Sequence, residues 1–139
     1  MGVIKQATIK NTRKLEEANK GASVVTTLGE ILDLTAGLAV PATSSSTRAT
    51  ILGVCNQTIA AAEALVRVPY IVPSDGDTFI FPTTNNSDAA HNGQDMVLGA
   101  SSSIVNNTGT TSAVGVVRQV EPYKDASDKL IIGRFLAAN

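Results

Sequence analysis

"TRATILGVCNQTIAAAEALVRVPYI", residues 47–71, and "TSAVGVVRQVEPYKDASDKLIIGRFL", residues 111–136, read as two versions of one pattern. Each opens in small polar residues and reaches an apolar step into Gly-Val, at Gly53-Val54 and again at Gly115-Val116. Each then crosses a polar middle into an apolar run carrying one arginine. β-Branched residues crowd these runs, as they do "SVVTTL" (23–28) and "DTFIF" (77–81), with Ser, Thr, Asn, Gly and Pro between them. That is the pattern of strands joined by turns, so the fold class it predicts is all-β.

The likeness extends upstream. Gly29-Glu30 precedes the first Gly-Val and Gly93-Gln94-Asp95 the second, with the acidic residue 23 and 20 residues ahead of the glycine. A further acid-led run, "SDGDTFIF" (74–81), stands before the second unit. The doubling predicts a small β-sandwich or barrel of two similar β units, each too small to bury its apolar face alone. Chance similarity among Ser-, Thr- and Val-rich segments is the competing explanation. Within "LVRVPYIV" (65–72), Val66, Val68, Tyr70 and Val72 share a face by period two, and Pro69 places the strand at a sheet edge or at its own end. Residues 59–65 are rich in good helix formers and predict one short helix.

Composition shifts at Gly21, dividing the chain into an N-terminal arm, 1–21, and a β domain, 22–139. Lys5, Lys10, Arg13, Lys14 and Lys20 gather in the arm with Glu16 and Glu17. "NTRKLEEANKG" (11–21) predicts a marginal helix capped by Asn11 or Thr12 and ended by Gly21, with a frayed solvated tail as the alternative. Its single large apolar residue is Leu15, so such a helix needs a partner. Lys5, Lys10, Arg13, Lys14 and Leu15 are therefore the candidate partner-binding residues. Removing the arm is expected to change the stability of the domain little and its binding more.

Apolar residues make up 43% of the 139 and charged ones 17%, too apolar for a disordered chain and poor in the charge that hydrates a small surface. Part of that surface is expected to meet protein, including other copies of the chain, with a trimer as the favoured form. A net charge of −1 argues against a nucleic-acid partner. The absence of a signal-like run or a bilayer-length span sets the expectation of no membrane partner. Cys55 is the one cysteine, which excludes an internal disulfide and fits synthesis in a reducing cytoplasm.

Catalytic signatures are sparse. His91 is the single histidine and lies in the polar loop "TTNNSDAAHNGQD" (83–95), where a solvent-exposed residue is the simpler expectation than a base or metal ligand. No serine sits in a nucleophile elbow. Asp75 and Asp77 flank Gly76 in "PSDGDTF" without the further acidic positions of a calcium loop, so a turn that starts a strand is expected there. Aromatic residues are 4% of the chain, too few for stacking platforms. The expectation is no enzyme, no catalytic residue, no metal and no cofactor.

Gly29-Glu30, the strand 51–54, the "IAAAE" step at 59–63 and 65–68, followed by 95–98, 114–117 and 130–135, resemble the small β-rich decoration, or cement, proteins of tailed-bacteriophage heads. The resemblance implies a β-tulip-like domain without an active site, made in the host cytoplasm and carried on the exterior of the virion. Its partner there would be the major capsid protein, and its role stabilisation of the shell. The alternative is a β-rich receptor-binding, fibre or adhesin module of a phage or bacterium.

Overall fold

A computed structural model of the chain describes residues 2–5, 14–63, 66–74, 76–108, 111–124 and 127–136, with backbone alone for residues 4 and 5. It holds ten strands: β1 (Ile4–Lys5), β2 (Lys14–Asn19), β3 (Ile31–Thr35), β4 (Leu38–Pro41), β5 (Ile51–Cys55), β6 (Arg67–Val72), β7 (Phe79–Pro82), β8 (Asp95–Met96), β9 (Val117–Pro122) and β10 (Leu130–Phe135). Among the described residues the one helical element is a 3-10 turn, Ala89–His91. The strands form two antiparallel five-stranded sheets, ordered β2-β6-β5-β3-β4 and β1-β7-β10-β9-β8, and the molecule is an all-β sandwich.

The two sheets repeat one another. In the first, β3, β5 and β6 pair in succession and β6 lies beside the earlier strand β2. In the second, β8, β9 and β10 do the same and β10 lies beside β7. Each is a Greek-key arrangement, in which a meander returns to the strand that precedes it. The repeat extends to two isolated parallel bridges, Lys20 to Ala39 in the first unit and Thr83 to Val105 in the second. Lys20 and Thr83 each follow the leading strand of their unit and are 63 residues apart; Ala39 and Val105 are 66 apart. In the first unit that bridge brings the outermost strands β2 and β4 together at one end, so the sheet curls strongly without closing.

The curl lets the first sheet bury both faces. Ile31, Ile51, Val54 and Ile71 meet Phe79, Phe81, Met96, Val117 and Ile131 in the core between the sheets, where Phe135 packs edge-on to both other phenylalanines at 5.2 Å. Leu32, Ala39, Cys55, Ile59, Val68 and Tyr70 form a second cluster on the opposite face. Strict alternation cannot send both Ile51 and Val54 to one face, since they are three residues apart. The register shift opposite Leu32 and Asp33 resolves this, because Leu52 is an extra residue between the pairs Leu32–Gly53 and Asp33–Ile51. Gly53 sits in that bulge at φ 153°, and a Cβ there would fall on the carbonyl oxygen of Ile71 in β6. Gly115, its partner in the sequence repeat, answers a different need, since a Cβ there would meet the β8 backbone at Asp95 and Met96, 2.8 Å away.

Four expectations are corrected. Residues 14–19 are a strand instead of a helix, because pairing along β6 satisfies their backbone and tertiary context outweighs the helix propensity of "KLEEAN". The boundary at Gly21 therefore does not separate an appendage from a domain, because β1 pairs with β7, Val3 is in the core, and Lys20 is 1% exposed. Residues 59–63 form a bridge and a turn instead of a helix, with Ile59 tied to Thr26 by two backbone hydrogen bonds; residues 64 and 65 lie outside the described ones. β6, finally, is an interior strand despite Pro69. The β5 ladder ends at the Cys55–Tyr70 pair, so the proline nitrogen faces past the end of β5 and its carbonyl accepts from Asn56 N. Val66, Val68, Tyr70 and Val72 do share a face, that of the second cluster.

Candidate interaction surface

β2 lies at an outer edge of the first sheet, so among the described residues one side of its backbone has no strand partner from Lys14 to Ala18, before the bridge to Ala39 takes over at its end. Lys20 donates its N–H to Val66 O, which fixes the alternation: even-numbered residues bond toward β6, and Leu15, Glu17 and Asn19 point their N–H and C=O groups outward. Gly21, the next odd residue, confirms the sense by donating to Ala39 O. The Leu15 side chain is 49% exposed, although its pairing partner Ile71 belongs to the core between the sheets. Lys14 and Glu16 share the opposite face and form an ion pair at 3.2 Å, while Tyr70 Oη donates to Glu16 Oε2 at 3.3 Å. Burial, and then the charge of Glu16, push the Tyr70 hydroxyl above its ordinary pKa. Arg67 braces the far end, donating through Nε to Glu17 Oε2 at 3.1 Å and through a terminal nitrogen to the Glu17 carbonyl at 3.2 Å.

Of the candidate binding residues, Lys14 and Leu15 thus come together on one open edge. Lys5 is elsewhere, on β1 at the edge of the second sheet, and Lys10 and Arg13 lie outside the described residues.

Sequence reasoning missed the polar contacts that tie the units together. Asp95 opens β8 and accepts from Arg118 Nε at 2.6 Å and from a terminal Arg118 nitrogen at 3.1 Å; Arg48, from the loop before β5 in the other sheet, reaches it at 3.4 Å. Hydrogen bonding from Arg118, only partly opposed by burial, holds the Asp95 carboxyl below its ordinary range, with a smaller share from Arg48. Glu30, the matching acid of the first unit, is buried and accepts from Thr27 N at 2.6 Å and Ser102 Oγ at 2.7 Å. The sequence singled out both acids as strand openers, but their partners are up to 72 residues away and carried no signal.

Asp95→Asn is expected to cost about 1–3 kcal/mol at neutral pH, because the hydrogen bonds it weakens are charge-assisted. A carboxyl with a lowered folded pKa contributes stability that is complete above its ordinary range and lost as pH falls through the folded value. Urea unfolding should therefore separate wild type and variant at pH 7 and bring them together only as pH falls through the ordinary carboxylate range and past the lowered folded value.

His91 ends the 3-10 turn half-buried, not free in solvent, and among the described residues its Nδ1 has no hydrogen-bond partner. Asp88 caps the turn, and the buried Gln119 of β9 anchors it by donating to Asp88 O and Asn92 Oδ1. Asp77 closes a turn with Ser74 immediately before β7. Cys55 is buried and donates to Gln57 O, and burial raises its thiol pKa, the setting of an unreactive cysteine. Among the described residues no group of three or more His, Cys, Asp or Glu side chains is placed to hold a metal ion, and no helix is long and apolar enough to cross a membrane.

The sequence matches no protein-family model and no curated protein.

Proposed function

We propose that this protein is a non-catalytic structural component of a bacteriophage virion, binding the outer surface of the capsid and stabilising the shell through the major capsid protein. The observation that carries the reading is the open edge of β2, a strand paired on one side with β6 and offering on the other the outward N–H and C=O of Leu15 and the outward N–H of Glu17, beside a half-exposed leucine side chain. Such an edge accepts a strand of another chain, with main-chain hydrogen bonds supplying affinity. Val25, Leu28, Leu34 and Val114 are also large apolar residues exposed by 40% or more, on a chain with little charge to surround them. The capsid as the partner comes from the sequence resemblance to decoration proteins.

The test is co-sedimentation with empty shells assembled from the major capsid protein. Saturable binding with a fixed number of copies per shell is expected, unchanged by His91→Ala. Absence of binding to shells, with binding to host envelope instead, would overturn the proposal in favour of a receptor-binding module.

A further inference from the structure

The open edge of β2 carries a charge pattern that fits a second copy of this chain when no shell is present, an occupant that excludes a capsid strand from the same edge while it is bound. Reading along the strand, Lys14 precedes Leu15 and Glu16 follows it, and the sequence continues the same signs with Arg13 before and Glu17 after. The pattern is antisymmetric about Leu15. Two such strands laid antiparallel about a two-fold axis through Leu15 set Lys14 opposite Glu16 on both sides of the axis and Leu15 opposite Leu15.

We propose that β2 pairs with β2 of a second copy of this chain, joining the two first sheets edge to edge in a two-fold dimer centred on Leu15. The backbone fits this register. Leu15 points its N–H and C=O outward, so two copies exchange two hydrogen bonds at the axis, as a hydrogen-bonded antiparallel pair requires. Lys14 and Glu16 point their backbone groups inward and so form the flanking non-hydrogen-bonded pairs, where facing side chains lie closest. The Lys14–Glu16 ion pair of each copy then joins that of its mate, and every charge in the group of four has opposite-sign neighbours along and across the strands.

Neighbouring registers do less. Outward groups must meet outward groups, so the pairing shifts only in steps that keep odd residues facing odd ones. One step in one direction puts Lys14 opposite Lys14, and one step in the other puts Glu16 opposite Glu16 and Leu15 opposite Glu17. Charges on an edge strand ordinarily discourage pairing with other chains; here they disfavour both neighbouring registers. The Glu17 carbonyl, already accepting from Arg67, marks the outer limit of the contact on that side. The contact is two-fold, in place of the trimer that composition favours.

Charge exchange on the full chain tests this. Sedimentation equilibrium across a concentration series is expected to show a reversible dimer for the wild type. Lys14→Glu and Glu16→Lys should each raise the dimer dissociation constant at least about tenfold, since each places like charges opposite one another at two symmetric contacts. An equimolar mixture of the two variants should recover association, because every like pair becomes an opposite pair in the mixed dimer. Circular dichroism melts establish that each variant is folded. Leu15→Lys, at a half-exposed position, supplies an independent break by placing two lysines at the axis. A wild type that stays monomeric up to about 1 mM, a trimer, variants that associate as the wild type does, or a mixture no better than either variant alone would each overturn the proposal.

Discussion

A chain beginning at Ala22 is expected to lose most of its stability, melting at least about 10 °C below the full chain or showing no cooperative transition. The cut removes β2, which pairs with β6 along its whole length, and Val3, which sits in the core between the sheets. It strips cover from the second cluster, against which Ala18 packs, and deletes Lys20, whose bridge to Ala39 holds the curled sheet together. The Lys20 ammonium is itself buried, donating to Gly21 O at 3.0 Å and Val24 O at 2.7 Å, so it organises the turn that follows the strand. A net stability of about 5–15 kcal/mol cannot absorb the loss of a full strand and a core residue. Circular dichroism melting of the two chains decides the matter. Equal melting temperatures would show that the first 21 residues are an accessory arm.

Gly53→Ala is expected to be the most damaging single substitution, costing about 4 kcal/mol or more, in the range reserved for changes the backbone cannot accommodate. Two effects combine. At φ 153° a residue with a side chain is strained by about 1–3 kcal/mol, and the added Cβ falls on the Ile71 carbonyl, a backbone atom within a paired strand that has no rotamer to change. Gly37→Ala is the control. Gly37 also has a positive φ, 80°, but a Cβ there meets nothing within 4 Å, so the cost should stay near 1–2 kcal/mol, the conformational share alone. Urea midpoints of the two variants that fall together would show that the bulge can move away from β6 and that the steric account is wrong.

Gly53 also shows what the sequence could convey. Its Gly-Val step recurs at Gly115, and the recurrence pointed correctly to two similar β units, yet the two glycines are not structural equivalents. One relieves a bulge against β6 and the other a close approach to β8. The equivalence lies in strand order and in the paired bridges at Lys20 and Thr83, properties of long-range pairing that local composition does not encode. Strands with apolar alternation, such as β6 and β7, were legible because their alternating residues pack on a common face. β2 was not, since its residues are almost all exposed and its only reason to be extended is its neighbour. The short helix expected at 59–65 failed for the reverse reason: alanines favour a helix, but Ile59 is committed to the second cluster and bonded to Thr26. Lys14 and Leu15 were found as binding candidates through their charge and isolation, while the orientation of their backbone, which makes the edge usable, required the register with β6.

Stabilisation of a shell from its outer surface has a thermal signature. A ligand that binds the assembled state better than its dissociated parts must raise the temperature at which that state is lost. Calorimetry of empty capsids, with and without the protein at saturating occupancy, reads this shift without intermediate steps. The disruption temperature should rise with occupancy and level off when the sites are full. A shell that melts at the same temperature with every site occupied would contradict the proposed role.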